Sequence, residues 1–148
     1  MKLSQDLLNN LIEITSKSAI ACYPYIGKNE KVLADKAATD VMRFQLNNLN
    51  IKGEVVIGEG ELDEAPMLYI GEKLGNGNGP KIDIAVDPVE GTNFVAKNLP
   101  GAMSVIAVSE KGNLFNSPET YMQKIATGSH IPKNTVDLDY TVEQNINN

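Results

Sequence analysis

"KIDIAVDPVEGTN", residues 81–93, is the stretch that decides how this chain is read. Ile82, Ile84 and Val86 alternate with Asp83, Ala85 and Asp87, the two-residue period of a strand with one face in a core. Pro88 has no N–H to offer a neighbouring strand, so the element is expected to end there. Glu90, Gly91 and Thr92 follow at once. Together with Asp87 they put two carboxylates, a glycine and a hydroxyl on the turn where an apolar strand stops.

Working outward, the same periodicity tests give a coarse map. Leu3, Leu7, Leu11 and Ile14 recur at helical spacing within residues 3–26, and Gly27 is a suitable stop. A second helix is expected from Lys31 to Leu49 with Asn29 as its N-cap. Met42, Leu46 and Leu49 form its inward line; Asp35, seven residues before Met42, falls on that line, and Lys31 one turn earlier shares the face. Val55–Ile57 reads as a short strand, followed by the acidic "GEGELDEAP" (58–66) and a helical turn after Pro66. "GNGNGP" (75–80) is a surface turn. Residues 103–108 read as a strand, Lys111-Gly112 as a turn into its partner, 121–127 as a further strand, and "TVEQNINN" as the start of a helix. Strands interleaved with helices imply a layered α/β fold.

The totals narrow the function. Hydrophobic residues make up 42% of the 148 and charged residues 22%, a globular composition with enough chain for a core. Thirteen Lys and Arg against nineteen Asp and Glu leave a net charge of -6, which argues against nucleic-acid binding. One cysteine, Cys22, makes no internal disulfide. The opening residues lack a signal-peptide core and no apolar run is long enough for a bilayer, so a cytoplasmic location without membrane partners is expected.

Glu59, Glu61, Asp63 and Glu64 follow the first strand, while Asp87 and Glu90 close the second. In layered α/β folds ligands sit outside strand ends, so both turns are expected to serve one site. Carboxylates about 4 Å apart repel by roughly 4 kcal/mol at an effective dielectric near 20. Basic residues do not offset this locally, because residues 54–72 and 82–96 contain no Lys or Arg. Hard oxygen-loving cations, Mn²⁺ or Mg²⁺, would. Thr92 offers a hydroxyl to orient an attacking water, and amides near Gly91 and Thr92 can hold an anion. Metal-assisted hydrolysis of a phosphate ester is the reaction such a turn suits.

Each signal also has an ordinary reading. An acidic loop is commonly a solvated face, Asp87 before Pro88 can simply start a turn, and Asp35 can pair with Lys31 or favour its helix's positive end. Tyr121 suits a core or edge position, His130 a surface loop, and Cys22 a small core residue. Their joint occurrence carries the functional reading.

At these residues the sequence resembles the class II fructose-1,6-bisphosphatases, the bacterial branch of the lithium-sensitive sugar phosphatases. "GEGELDEAPM" and "DPVEGT" together carry the resemblance, which extends from "ADKAATDVMR" (34–43) through "LFNSPETYMQKIATG" (114–128). "DPVEGT" alone marks only the wider superfamily, which includes inositol monophosphatases. The resemblance implies that Asp35, Glu59, Asp87 and Glu90 are ligands of a divalent metal, Mn²⁺ or Mg²⁺. It also implies that Glu90, Gly91 and Thr92 contact substrate phosphate, that Thr92 helps activate the attacking water, and that Tyr121 binds substrate. Asp63 and Lys31 match positions near the reaction centre.

The implied reaction removes the 1-phosphate of fructose 1,6-bisphosphate in gluconeogenesis, and some relatives also accept sedoheptulose 1,7-bisphosphate. A small-molecule sugar bisphosphate is thus the expected partner, with a homo-oligomer expected for a full-length form. The resemblance implies the sugar-phosphatase fold, an α/β (α+β layered) arrangement with helices packed on a mixed sheet, and family members continue into a second α/β domain. Residues 1–131 are therefore expected to form a metal- and phosphate-binding domain, and 132–148 the start of a connection. On that expectation the chain is a truncated form, either retaining the enzyme's activity or acting as a half-enzyme that binds metal and needs a C-terminal partner.

Overall fold

The computed structural model describes residues 4–59, 67–116 and 122–147. The chain divides into two compact units, Met1–Ser117 and Pro118–Asn148.

The first unit opens with helix α1, Gln5–Ala21, whose N-cap Ser4 accepts the Leu7 N–H through its hydroxyl. A 3₁₀ turn, Tyr23–Tyr25, links it to α2, Lys31–Asn47. Asn29 does not cap α2. It takes a left-handed φ of 59° and donates its N–H to the Ala96 carbonyl, while Glu30 occupies the cap position without a side-chain bond. The backbone link to Ala96, joined by that of Gly27 to Val95, therefore sets where α2 begins.

Strands β1 (Lys52–Ile57), β2 (Lys73–Leu74), β3 (Lys81–Glu90) and β4 (Met103–Glu110) form one sheet in the order β2-β1-β3-β4. β1 and β3 are parallel, and both outer strands are antiparallel to their neighbours, so the expected mixed sheet is present. Leu7, Leu11 and Ile14 of α1 and Met42 and Leu46 of α2 share a core with Val55, Leu74, Ile82, Ile84 and Val86 of the sheet. The alternation that marked β3 in the sequence thus places its aliphatic side chains against the helices.

Four local expectations change. Pro88 does not end β3, which continues to Glu90. The pairing with β4 slips instead, from Asp87↔Val105 to Glu90↔Met103, and this bulge absorbs the donor that proline lacks. No helical turn forms in residues 67–72; Leu68 is buried there and its carbonyl accepts the Glu59 N–H at 3.0 Å. No strand forms in residues 113–116 after the Lys111-Gly112 turn, where the amides of Gly112 and Leu114 donate to the buried Asp83 carboxylate, at 2.6 and 3.4 Å. Residues 122–127 form no strand either, and Tyr121 lies outside the described residues.

The second unit has one regular element among the described residues, α4 (Val142–Asn147), at the helix start read from the sequence. Thr141 and Gln144 cap it reciprocally: the Gln144 N–H donates to the Thr141 hydroxyl, and the Thr141 N–H to the Gln144 side-chain oxygen.

Candidate active site

The parallel pair β1 and β3 finishes at one end of the sheet, and the acidic residues collect there. Ile57 is in register with Ala85; Glu59 follows two residues on, past the end of β1, and Asp87 two residues on, still within β3. Gly58 precedes it in direct contact with the neighbouring segment. A Cβ there would stand 2.2 Å from the Leu68 carbonyl oxygen, so glycine is required for the close approach that fixes the Glu59 backbone.

At the end of β3, Asp87 reaches across the proline and accepts the Val89 N–H at 3.0 Å. Gly91 then takes a left-handed φ of 85°, and α3 (Thr92–Ala96) begins at the next residue. This geometry carries the chain from strand to helix within one residue and leaves Glu90 exposed and Gly91 and Thr92 half-buried.

Electrostatics tie three acids together. Burial pushes the Asp87 carboxyl up to about 6, assisted by a side-chain hydrogen bond and charge from Glu90 and by the charge of Asp35. Burial raises Asp35 as well, and its buried Oδ1 has no hydrogen-bond partner. An orphaned carboxylate oxygen beside two further acids is costly by itself and is what an oxygen-ligated cation would satisfy. The donor set fits such a cation, although no group of three or more His, Cys, Asp or Glu among the described residues already stands in metal-holding geometry.

Not every expected residue joins this group. Lys31 is exposed in the first turn of α2, one turn before the buried line of Ala34, Ala38, Met42 and Leu46 begins, and makes no ion pair with Asp35 among the described residues. Asp63 and Tyr121 lie outside the described residues, as do Gly60, Glu61 and Glu64.

Two residues near the site escaped the sequence reading as participants. Cys22 is buried behind it; desolvation, helped by the charge of Asp35, raises the thiol to about 11. The Cys22 thiol donates to the carbonyls of Ser18 and Ala34 at 3.5 Å, linking α1 to α2 one residue before Asp35. Iodoacetamide at pH 8 is accordingly expected to leave Cys22 unmodified in the folded chain and to alkylate it in urea, as mass spectrometry would read directly. Arg43 is the other: it grips Glu72 through Nε–Oε1 at 2.7 Å and Nη2–Oε2 at 3.2 Å and also donates to the Met67 carbonyl. Its distance from Glu72 along the chain hides the pair from any local pattern.

Fold and acidic strand-end turn together define a layered α/β protein with polar groups where open α/β sheets carry their ligands. Residues 5–148 match the family of bacterial fructose-1,6-bisphosphatases, glpX-encoded, and the chain belongs to that family. It is 48% identical over 144 residues to the D-fructose 1,6-bisphosphatase class 2/sedoheptulose 1,7-bisphosphatase of Synechococcus sp. (strain CC9902). It is 46% identical to fructose-1,6-bisphosphatase 1 class 2 of Escherichia coli (strain K12). Each match covers 97% of this chain and 43% of the relative, so the chain spans less than half the length of those proteins. Among solved structures, an extragenic suppressor from Pyrococcus furiosus aligns with a TM-score of 0.46 at 18% identity, over 72% of this chain and 41% of that one.

Proposed function

We propose that this chain carries the metal- and phosphate-binding part of a phosphatase that hydrolyses the 1-phosphate of fructose 1,6-bisphosphate to give fructose 6-phosphate. The observation that carries the reading is the convergence of Asp35, Asp87 and Glu90 at one strand end, with Asp35 Oδ1 unsatisfied and Asp87 pushed up to about 6. Family membership supports the choice of substrate.

Asp35, Glu59, Asp87 and Glu90 would hold the divalent cation, Mn²⁺ or Mg²⁺. The cation supplies activation of the attacking water and neutralises charge developing on the phosphoryl group. Thr92 orients that water through its hydroxyl, one residue beyond the left-handed Gly91. Glu90, Gly91 and Thr92 contact the substrate phosphate, Tyr121 binds the sugar, and Asp63 and Lys31 act near the reaction centre. Residues 1–131 constitute the metal- and phosphate-binding domain and 132–148 lead out of it. A role in gluconeogenesis in the cytoplasm, a homo-oligomeric full-length form and turnover of sedoheptulose 1,7-bisphosphate belong to the same proposal.

A second reading is favoured by the 43% coverage of the relatives: the chain binds metal and phosphate, but turnover needs the remaining length. Release of inorganic phosphate from fructose 1,6-bisphosphate, with Mn²⁺ or with chelator and beside inositol monophosphate, tests both. Metal-dependent release that Asp87→Asn lowers by more than about 100-fold is expected of the first reading, since losing even an outer-shell partner costs 10–100-fold. A folded chain that takes up Mn²⁺ without releasing phosphate supports the second. Release unaffected by chelator, or preference for inositol monophosphate, contradicts the assignment.

A further inference from the structure

At the opposite end of the sheet from the acids, four lysines surround a concavity. Lys52, Lys73, Lys81 and Lys111 line a cavity of about 370 Å³ formed by the starts of β1 and β3, by β2 and by the turn after β4. They are four of the thirteen Lys and Arg in a chain of net charge -6, so their gathering runs against the overall charge. Gly53, Gly75 and Gly77 complete the lining together with Leu74.

Two of the lysines are already matched. Glu54 sits between Lys73 and Lys111, at 2.5 and 2.7 Å, and Lys111 reaches the buried Asp83 at 3.1 Å. Lys52 and Lys81 are exposed and have no ion pair among the described residues. They are also directly opposite each other in the parallel register of β1 and β3, a like-charge pairing that a sheet ordinarily avoids. The basin therefore keeps a surplus of two positive charges, concentrated on this pair.

We propose that this basin is a second anion site, distinct from the acidic strand end, that takes the phosphoryl group of a small molecule. A dianionic phosphate matches the surplus of two charges, and lysine ammonium groups bind phosphate as point charges. The cavity is at the small-ligand end of the usual range of about 300–1,000 Å³. Nucleic acid is a poor match, because the basin is concave, holds no arginine or aromatic side chain, and belongs to an acidic chain. Asp87 is six residue steps along β3 from Lys81, roughly 20 Å at about 3.3 Å per residue, so an occupant here does not compete for the strand-end acids.

Inorganic phosphate and glycerol 3-phosphate serve as probes, titrated into the 148-residue chain in chelator at constant ionic strength while backbone amide resonances are followed. Saturable shifts at residues 52–54, 73–77 and 81 are expected, and Lys52→Ala/Lys81→Ala should weaken binding roughly tenfold or more. Lys133→Ala, a control in the second unit, should leave it unchanged. Tighter binding of inorganic phosphate supports free phosphate as the occupant, and tighter binding of the ester supports a phosphorylated metabolite. If the double variant unfolds, the same titration of Lys52→Gln/Lys81→Gln replaces it. No saturation, shifts reproduced by chloride, shifts centred elsewhere, or binding indifferent to a folded double variant would overturn the proposal.

Discussion

Asp87→Asn is expected to make the chain more stable in chelator at pH 7 and, at the same time, blind to Mn²⁺. The two effects share one cause. Burial, the Glu90 side chain and the charge of Asp35 raise the Asp87 carboxyl from 3.8 to about 6. The folded state thus holds this proton more tightly than the unfolded chain does. Its contribution to stability is fully present below pH 3.8 and is lost as the pH rises through 6. At pH 7 the ionised form is a net cost, on the order of 1–2 kcal/mol once solvent screening of this half-buried group is allowed for.

A neutral amide removes that cost and, with it, an anionic ligand. Thermal melts in chelator should therefore place Asp87→Asn several degrees above the parent at pH 7, with the gap closing towards pH 4. Added Mn²⁺ should raise the melting temperature of the parent far more than that of the variant, since a ligand stabilises only the fold that binds it. Equal metal responses in the two proteins would contradict the assignment of Asp87 to the cation.

The second large effect concerns Arg43, which lies outside the acidic cluster. Its guanidinium joins α2 to the segment leading into β2, holding Glu72 at two points and the Met67 carbonyl at a third. The hydrogen bond to Glu72 raises the Arg43 pKa against the opposing effect of burial. Glu72 is only 8% exposed, so truncating Arg43 leaves a carboxylate in the interior without its counter-charge. Breaking a buried pair from one side typically costs about 3–5 kcal/mol; Arg43 keeps 27% of its side-chain exposure, which moves the expectation to about 2–3 kcal/mol. Arg43→Ala should show that loss in urea denaturation. Arg43→Lys, which keeps charge without the fork, should recover part of it, and Arg43→Met with Glu72→Met should recover more. Arg43→Ala unfolding at the parent's urea midpoint would show that the pair contributes nothing net.

What the sequence made legible follows the range of its signals. The alternation of Ile82, Ile84 and Val86 and the helical spacing of Leu7, Leu11 and Ile14 are local, and both recur as buried faces. Asp83 shows the limit of that approach. Its alternation with isoleucines assigned it to the face away from the helices, but not to a buried position where it binds the amides of the turn after β4. That interaction closes the turn without the strand expected there. β2 is two residues long, too short for a period, and the Arg43–Glu72 pair joins residues 29 apart.

The acids stood out in the sequence because their types and spacing are chemically specific; what the sequence could not give is that Asp35 comes close enough to influence Asp87 from a different element. Helical spacing alone put Lys31 on the inward face, but it is exposed, because the buried line of α2 starts one turn later, at Ala34.

Manganese itself provides the most direct test, because it broadens the amide signals of the residues around it. Titrating the chain with substoichiometric Mn²⁺ should erase resonances around Asp35, Glu59 and residues 87–92 first, leaving the lysine basin at the far end of the sheet intact. Broadening centred elsewhere, or spread evenly over the acidic surface, would contradict a cation site at this strand end.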